Sequence, residues 1–481
     1  MSGSPLETTP GGRVPAVGRR EVRFTPETRA WHARLSQASC RFLDFVERTP
    51  ACLDRREFAA LGPGDGLFSH GFQPWPTFVG PRRVGEMAAA GVGVSSLIKG
   101  LCERVFQGDP ARLAAFYGIG LERAVRLVAA LRDPIPLQEI IGRGDFLDTP
   151  GGLKCMEFNL CGNLGGWQSK LWAPRFMGVP LIARFCAEAG IACSSRDTLR
   201  SFLLHVARGA AAAGTEGGWN LALLAPPDFQ DAQPVQRLLD AELRQVLAEV
   251  APGSRGRVWV CRPEQVRELD GVLWLGDQRL HAVAEQYQME YDARMFACLG
   301  RGDTRFFNGP LRLILDDKRN LALLSEQLEG ARYSPEEKRL IAAHVPWTRR
   351  VHSGVERFAG EVVPLPELLA GQREKLVLKR ALGYGGTGIH LGIATPASRW
   401  DELVRQALAA DDWVVQEWLQ AVPYVYQAGA FGCAPYDVVW GLFVFGGSYA
   451  GTFLRMLPQG WGGVINTAGG AIEGIVFEVD E

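Results

Sequence analysis

The chain has 481 residues, room at roughly 150 residues per domain for two to four folding units with sizeable cores. Its formal net charge is -1, from 52 Lys and Arg against 53 Asp and Glu, so the chain as a whole has no electrostatic reason to seek nucleic acid or an anionic membrane, and a charged ligand has to be held locally. The ten Cys are scattered without a C-x-x-C pair, which favours a reduced, cytoplasmic compartment over secretion.

Residues 1–20 carry Gly, Pro and Arg without an apolar core, which predicts a disordered arm and neither a signal peptide nor an anchor. From 21 to about 135, apolar residues recur at three and four, as at Phe42, Phe45 and Val46, or Leu121, Val125, Leu127 and Val128. That spacing predicts amphipathic helices. The stretch 70–83 between them, HGFQPWPTFVGPRR, is rich in Pro and aromatics and reads as ordered loop.

Near residue 150 stand Arg143-Gly144-Asp145, a turn Asp148-Thr149-Pro150-Gly151-Gly152, and Glu157-Phe158-Asn159 ending a strand. Strand alternation puts Glu157 and Asn159 on one face, and a hairpin can bring Asp145 opposite them, so that three oxygen ligands converge. An ordinary hairpin with solvated acids has the same composition. Further on, an apolar run at 221–224, a helical stretch at 235–250 and β-rich runs at 258–261 and 272–275 predict a parallel α/β layer.

The C-terminal third repeats that texture. It predicts a strand at 377–379, a helix at 398–409, a strand at 413–416, and a hairpin of 438–445 with 449–456 through Gly446-Gly447. The run 438–445 is the longest apolar one, far short of the ~20 residues a bilayer crossing needs, and reads as a buried strand. The fold class is therefore mixed α/β, or α+β.

Lys379 ends its strand and is followed by Gly383-Tyr384-Gly385-Gly386-Thr387-Gly388. Glycines let backbone N–H groups approach phosphate oxygens and a strand-end Lys supplies positive charge, although a plain hairpin turn has the same look. Upstream, Asp317-Lys318 opens a helix over 320–328, followed by Val345-Pro346-Trp347-Thr348. Downstream, the strand 413–419 (WVVQEWL) ends in Gln416 and Glu417, either of which, with adjacent backbone, could bond a purine's amino edge beside an apolar slot. A solvated strand end is the plainer alternative.

In order and spacing these motifs resemble the nucleotide-binding half of ATP-grasp enzymes over roughly residues 311–457. Most such chains carry metal ligands after the hinge, but here Arg455-Met456-Leu457 and Val464-Ile465-Asn466 lack a carboxylate at either acidic position. The missing R-x-D and E-x-N patterns stand upstream, at Arg143 to Asp145 and Glu157 to Asn159. That order resembles glutathionylspermidine synthetase and its relatives, a circularly permuted ATP-grasp group of carboxylate–amine ligases.

The resemblance implies a permuted ATP-grasp fold with a helical N-terminal region (21–135), a metal-binding hairpin (136–190), a pre-ATP-grasp α/β domain (191–310) and a nucleotide-binding and lid domain (311–481). It implies Mg²⁺ on Asp145, Glu157 and Asn159, Arg143 against the transferred phosphoryl group, and Arg455 at the acyl end. Lys318 and Lys379 would touch the phosphates or adenine of ATP, Gly383, Tyr384, Gly385, Gly386, Thr387 and Gly388 would be the lid, and Gln416, Glu417, Trp418 and Leu419 the adenine hinge. The turn after Asn159, Leu160-Cys-Gly-Asn-Leu-Gly-Gly-Trp167, departs from the acidic, Thr- and Pro-containing turn of those synthetases, so glutathione and spermidine are not carried over. No Cys/His arrangement matches their peptidase-like domain.

The implied activity is amide or peptide bond formation through an acyl phosphate, on small-molecule or peptide substrates, in natural-product or peptide-modifying biosynthesis. An ATP-dependent phosphotransferase and a non-catalytic ATP- or peptide-binding module are the alternatives. Cys161 reads as a buried thiol before a nucleophile, His390 as a residue beside the lid or on the surface, and Trp167 and Trp347 as packing before stacking platforms.

Overall fold

The computed structural model describes residues 22–49, 71–213, 218–226, 233–287, 289–299, 301, 303–383, 385–429, 432–467 and 469–481. The arm expected at 1–20, His70 and Tyr384 lie outside the described residues.

An eight-stranded sheet forms the centre. Its order is Thr77–Val79, Ile472–Val479, Ser448–Pro458, Gly432–Phe445, Ile141–Thr149 and Gly152–Asn159, with Tyr424–Ala428 also paired to Gly432–Phe445 and Cys193–Ser194 to Ile472–Val479. The hairpin near 150 is therefore a sheet edge, and the hairpin through Gly446-Gly447 is its neighbour. Strands from the 136–190 and 311–481 segments thus share one sheet. The run 438–445 lacks polar alternation because both faces are covered. Trp440, Leu442 and Val444 enter the core shared with helix Pro81–Lys99, while Phe443 and Phe445 enter the core shared with Leu199, Phe202 and Leu203 of helix Thr198–Ala213. Gly91 permits the first contact, since a Cβ there would stand 3.2 Å from Val444 Cγ2.

The expected parallel layer is a second sheet, ordered Arg305–Phe307, Ala282–Glu285, Trp219–Leu224 and Gly256–Cys261, with helix Gln233–Val250 between the last two strands in sequence. The strand Val272–Leu275 does not belong to it. It forms an antiparallel meander with Val266–Leu269 and Gln278–Leu280 instead, because the connections on either side, such as Asp270-Gly271 with both residues at positive φ, are hairpin turns too short for a parallel crossover.

A third, antiparallel sheet runs Thr348–Arg350, Trp413–Glu417, Leu376–Arg380, Ile389–Leu391. Leu376, Leu378, Trp413 and Val415 pack on helices Leu365–Gly371 and Ala397–Leu408. Alternation then turns Val377 and Lys379 to the opposite face, toward the central sheet.

The helix expected around 121–128 is present as Leu121–Arg132, with Ala124, Leu127, Val128 and Ala130 buried and Leu121 and Val125 56% and 49% exposed. One expectation is corrected. The stretch 70–83 is not all loop: Thr77, Phe78 and Val79 are strand formers that pair in parallel with Val476, Phe477 and Glu478, and Pro81 opens helix Pro81–Lys99, where a missing N–H costs nothing. Buried Asp148, at the end of the hairpin's first strand, ties that helix and Pro26–Leu35 to the sheet through Arg83 Nη2 at 2.7 Å and Arg34 Nη2 at 2.8 Å. Its carbonyl accepts from Val422 N at 2.7 Å, anchoring the segment that follows the 413–417 strand. No helix among the described residues is long and apolar enough to cross a membrane.

Candidate active site

Asp145 and Glu157 stand directly opposite each other in the hairpin, as do Arg143 and Asn159, with a bulge after Asp145. Gly441 of the next strand pairs with Asp145, and Arg455 lies one strand further on, against Val439. Arg143, Asp145, Asn159 and Arg455 thereby meet on one face. Arg143 Nε donates to Asp145 Oδ1 at 2.8 Å, Arg455 Nη2 to the same oxygen at 2.7 Å, and Asn159 Nδ2 to Asp145 Oδ2 at 3.3 Å. Burial by itself would raise the pKa of Asp145, but the two guanidinium groups outweigh it and hold the carboxyl down at about 2.

Gly441 makes this packing possible. A Cβ there would stand 2.9 Å from Arg143 Cδ and 3.1 Å from the Phe453 carbonyl oxygen. Gly441→Ala is expected to displace the Arg143 guanidinium and to lower any nucleotide turnover in this cavity about tenfold, on the scale of one misplaced charged group. Steady-state ADP release, beside a melting curve that stays within a few degrees of wild type, checks this.

The antiparallel lysine sheet closes on the hairpin from the other side. Lys379 Nζ donates to the Met156 carbonyl at 2.9 Å and to Gln416 Oε1 at 2.7 Å. Lys318 Nζ lies 3.1 Å from Glu157 Oε1 and donates to the Gly383 carbonyl at 2.7 Å. The early acidic hairpin and the late lysine-bearing sheet thus face one space. Burial pulls the Lys379 ammonium down to about 8, with Glu157 opposing and Lys318 adding to the shift.

That space is a cavity of about 890 Å³. Its lining includes the apolar side chains of Met156, Val377, Ile389, Leu391 and Leu419, the kind of surface a flat ring needs. Lys379, Arg143, Asp145, Glu157, Asn159 and Arg455 line it too. Gly385, Gly386 and the segment 459–467 complete the wall. The glycine-rich segment is the turn between two antiparallel strands and a cavity wall at once. Asn466 Nδ2 donates to the Gly385 carbonyl at 3.0 Å, and Gly386, at φ 79°, leaves no room for a Cβ, which would sit 2.1 Å from Asn466 Nδ2. For a nucleotide in this cavity, Gly386→Ala is expected to weaken binding roughly tenfold through backbone strain; titration calorimetry with ATP measures it.

The expected hinge is only partly at the cavity. Trp418 and Leu419 line it, but the Gln416 side chain is spent on Lys379 and on Thr348 Oγ1 at 3.1 Å, and Glu417 Oε1 accepts from Trp347 N at 2.8 Å. Strand alternation and these partners turn both side chains from the role of purine donor or acceptor to that of bracing the sheet. Gly383 serves through its carbonyl on Lys318, Gly388 through its carbonyl on Arg380 N, and Thr387 is not among the lining residues. Cys161 is buried at the cavity wall with its thiol pushed well up by burial, which suits packing. His390 faces Trp413 outside the cavity; Trp167 stacks on Phe202 and Trp347 meets Phe358 edge-on.

Sequence reasoning missed Arg312 and Asp316. Asp316 Oδ1 accepts from Leu160 N at 2.9 Å, pinning the chain directly after Asn159, and Arg312 Nε bonds Asp316 Oδ2 at 3.2 Å while lining the cavity. Their four-residue spacing ahead of Lys318 was the available signal. Gln168 and Glu473, joined at 2.8 Å, form the wall beyond Arg455 and had no sequence signal.

The oxygen set suits a hard divalent cation in chemistry: two carboxylates and an amide oxygen. All three residues line the cavity, with both oxygens of Asp145 taking hydrogen bonds from the protein and Glu157 Oε1 facing Lys318 Nζ at 3.1 Å. Among the described residues no group of three or more His, Cys, Asp or Glu forms a metal-binding cluster.

No protein-family profile matches the chain, and no curated protein matches it significantly in sequence. Among solved structures, it is similar to a glutathione synthetase-like effector from Globodera pallida in the apo form, with a TM-score of 0.54, 13% identity, and coverage of 90% of this chain and 98% of that one. At this identity the likeness concerns the fold. The chain thus has a mixed α/β, glutathione synthetase-like architecture.

Proposed function

We propose that the chain is an ATP-grasp ligase with permuted motif order, which activates a carboxylate as an acyl phosphate and joins it to an amine. The observation that carries this reading is the pair of lysines crossing between the two halves, Lys379 to the Met156 carbonyl and Lys318 to Glu157, with Lys379, Glu157 and several apolar side chains lining one cavity. Lys318, Lys379, Arg143 and Arg455 bring four cationic groups to Asp145 and Glu157, donors of the kind phosphate oxygens take, while Asp437 and Glu473 also line the cavity wall.

In this mechanism Lys379 and Lys318 hold the phosphates, and the apolar side chains with the Trp418–Leu419 segment hold adenine. Mg²⁺, with Glu157, Asn159 and Asp145 as its ligands, would supply further charge neutralisation at the phosphate oxygens. Arg143 offsets charge on the γ-phosphoryl group while the substrate carboxylate takes it, and Arg455 steadies the acyl end. The 383–388 turn and the 459–467 segment exclude water until an amine displaces phosphate. The substrates are small molecules or peptides, and the setting is cytoplasmic.

The test is ADP release by the full chain with ATP, Mg²⁺ and pools of amino acids, polyamines and short peptides, with mass spectrometry of products. The expected result is ADP formation that needs both a carboxylate and an amine, and a condensed product lighter than its parts by one water. A stable phosphorylated substrate without an amide would make it a phosphotransferase, and ATP binding without turnover a nucleotide-binding module.

A further inference from the structure

Away from the cavity, helix Pro180–Ala189 ends in Gly190 at φ 64°, and Ile191 N returns to the Cys186 carbonyl at 3.1 Å. This left-handed cap folds the chain back over the last helical turn. Cys193 lands beside Cys186, with Sγ to Sγ at 3.4 Å, and with Met177 Sδ 3.6 Å from Cys193 Sγ. Both thiols are free; Cys186 is buried and Cys193 is half-buried, within reach of a small oxidant.

We propose that Cys186 and Cys193 form a reversible dithiol–disulfide pair that stiffens the segment holding the cavity-lining turn at 165–168. At 3.4 Å the two sulfurs are already in contact, against a bonding distance of about 2 Å. Cys193 is the more exposed thiol and so the one placed to attack first, with Cys186 Sγ within hydrogen-bonding contact of its sulfur. The Cys193 thiolate attacks a small-molecule disulfide, expelling one thiol and leaving a mixed disulfide on Cys193. The Cys186 thiolate then attacks the Cys193 sulfur and expels the second thiol. The protein loses two electrons and two protons, and the oxidant is reduced to two thiols.

The coupling to the site runs along the chain. Cys193 and Ser194 pair with Val479 and Glu478 at the edge of the central sheet. Asp197 Oδ2 binds Lys170 at 2.8 Å, and Thr198 Oγ1 donates to the Gly166 carbonyl at 2.6 Å. Gly165 and Gln168, on either side of that carbonyl, line the cavity. Fixing residue 193 to the helix therefore restrains the strap that holds the turn.

The test uses the native full chain with oxidised glutathione, followed by alkylation, digestion and mass spectrometry. The expected result is loss of two alkylatable thiols as one peptide bridged between 186 and 193, restored by dithiothreitol, with slower hydrogen exchange over 193–198. Cys186→Ser is expected to trap a glutathione adduct on Cys193. Both cysteines remaining alkylatable, or an adduct persisting on Cys193 in the wild type, overturns the pair; a bridge with unchanged exchange over 193–198 overturns its coupling to the turn. None of these readouts depends on ligase activity.

Discussion

Asp145→Asn is expected to lower Mg²⁺- and ATP-dependent ADP release about a thousandfold, the scale on which removing one preorganised charged group acts in a water-poor site. Asp145 joins the guanidinium groups of Arg143 and Arg455 and the amide of Asn159 at one point of the sheet. An uncharged amide leaves two buried cations facing each other, so stability is expected to fall too, by roughly 3–5 kcal/mol. Glu157→Gln tests the second carboxylate. Glu157 pairs with buried Lys318 at 3.1 Å, so this variant too is expected to lose turnover together with some stability. Turnover near wild type in both variants removes the hairpin from the chemistry.

The Asp145 carboxyl also predicts an acid limit. Its folded-state value of about 2 lies below the ordinary 3.8, so its contribution to stability is complete above about pH 4 and is lost as pH falls toward 2. Urea titrations at pH 5 and pH 3 are the measurement.

Lys379→Met is the second large effect, with nucleotide affinity expected to fall about a hundredfold through loss of a charge-assisted contact. The wild type carries its own internal control. Burial holds Lys379 at about 8, below the ordinary 10.5, so the ammonium charge disappears as pH rises through 8, and ATP affinity is expected to weaken by roughly tenfold per pH unit above that point. Between about 8 and 10.5 the unfolded chain binds a proton that the folded one does not, so this group makes stability rise with pH over the same window. Titration calorimetry at pH 7, 8 and 9 gives the wild-type slope. A slope that survives in Lys379→Met assigns it to another group.

Local readings of the chain fared well where one period dominated. The helices near 233–250 and 397–408, the strands at 256–261, 376–380 and 413–417, and the hairpin through Gly446-Gly447 all stand within a few residues of their expected places. These signals are carried by neighbours in sequence: apolar spacing, caps and turn glycines. That the hairpin sets Asp145 opposite Glu157 was likewise readable, because a two-stranded hairpin is still a local object.

The misses share a different cause. Val272–Leu275 has strand character, but its sheet depended on the length of the turns beside it. Gln416 and Glu417 sit at the expected strand end, yet which face each takes, and that Lys379 and Trp347 claim them, follows from packing against residues far away in sequence. Arg312 and Asp316 entered the site only once the 160–168 turn was laid against them.

Composition and periodicity therefore specify which pieces exist and which charged groups stand at strand ends, since those follow from short-range sterics and solvation. Whether a hairpin near 150 and a lysine near 380 meet across one cavity is a matter of how sheets stack, and that balance of burial against chain entropy is summed over the whole chain and written in no single segment.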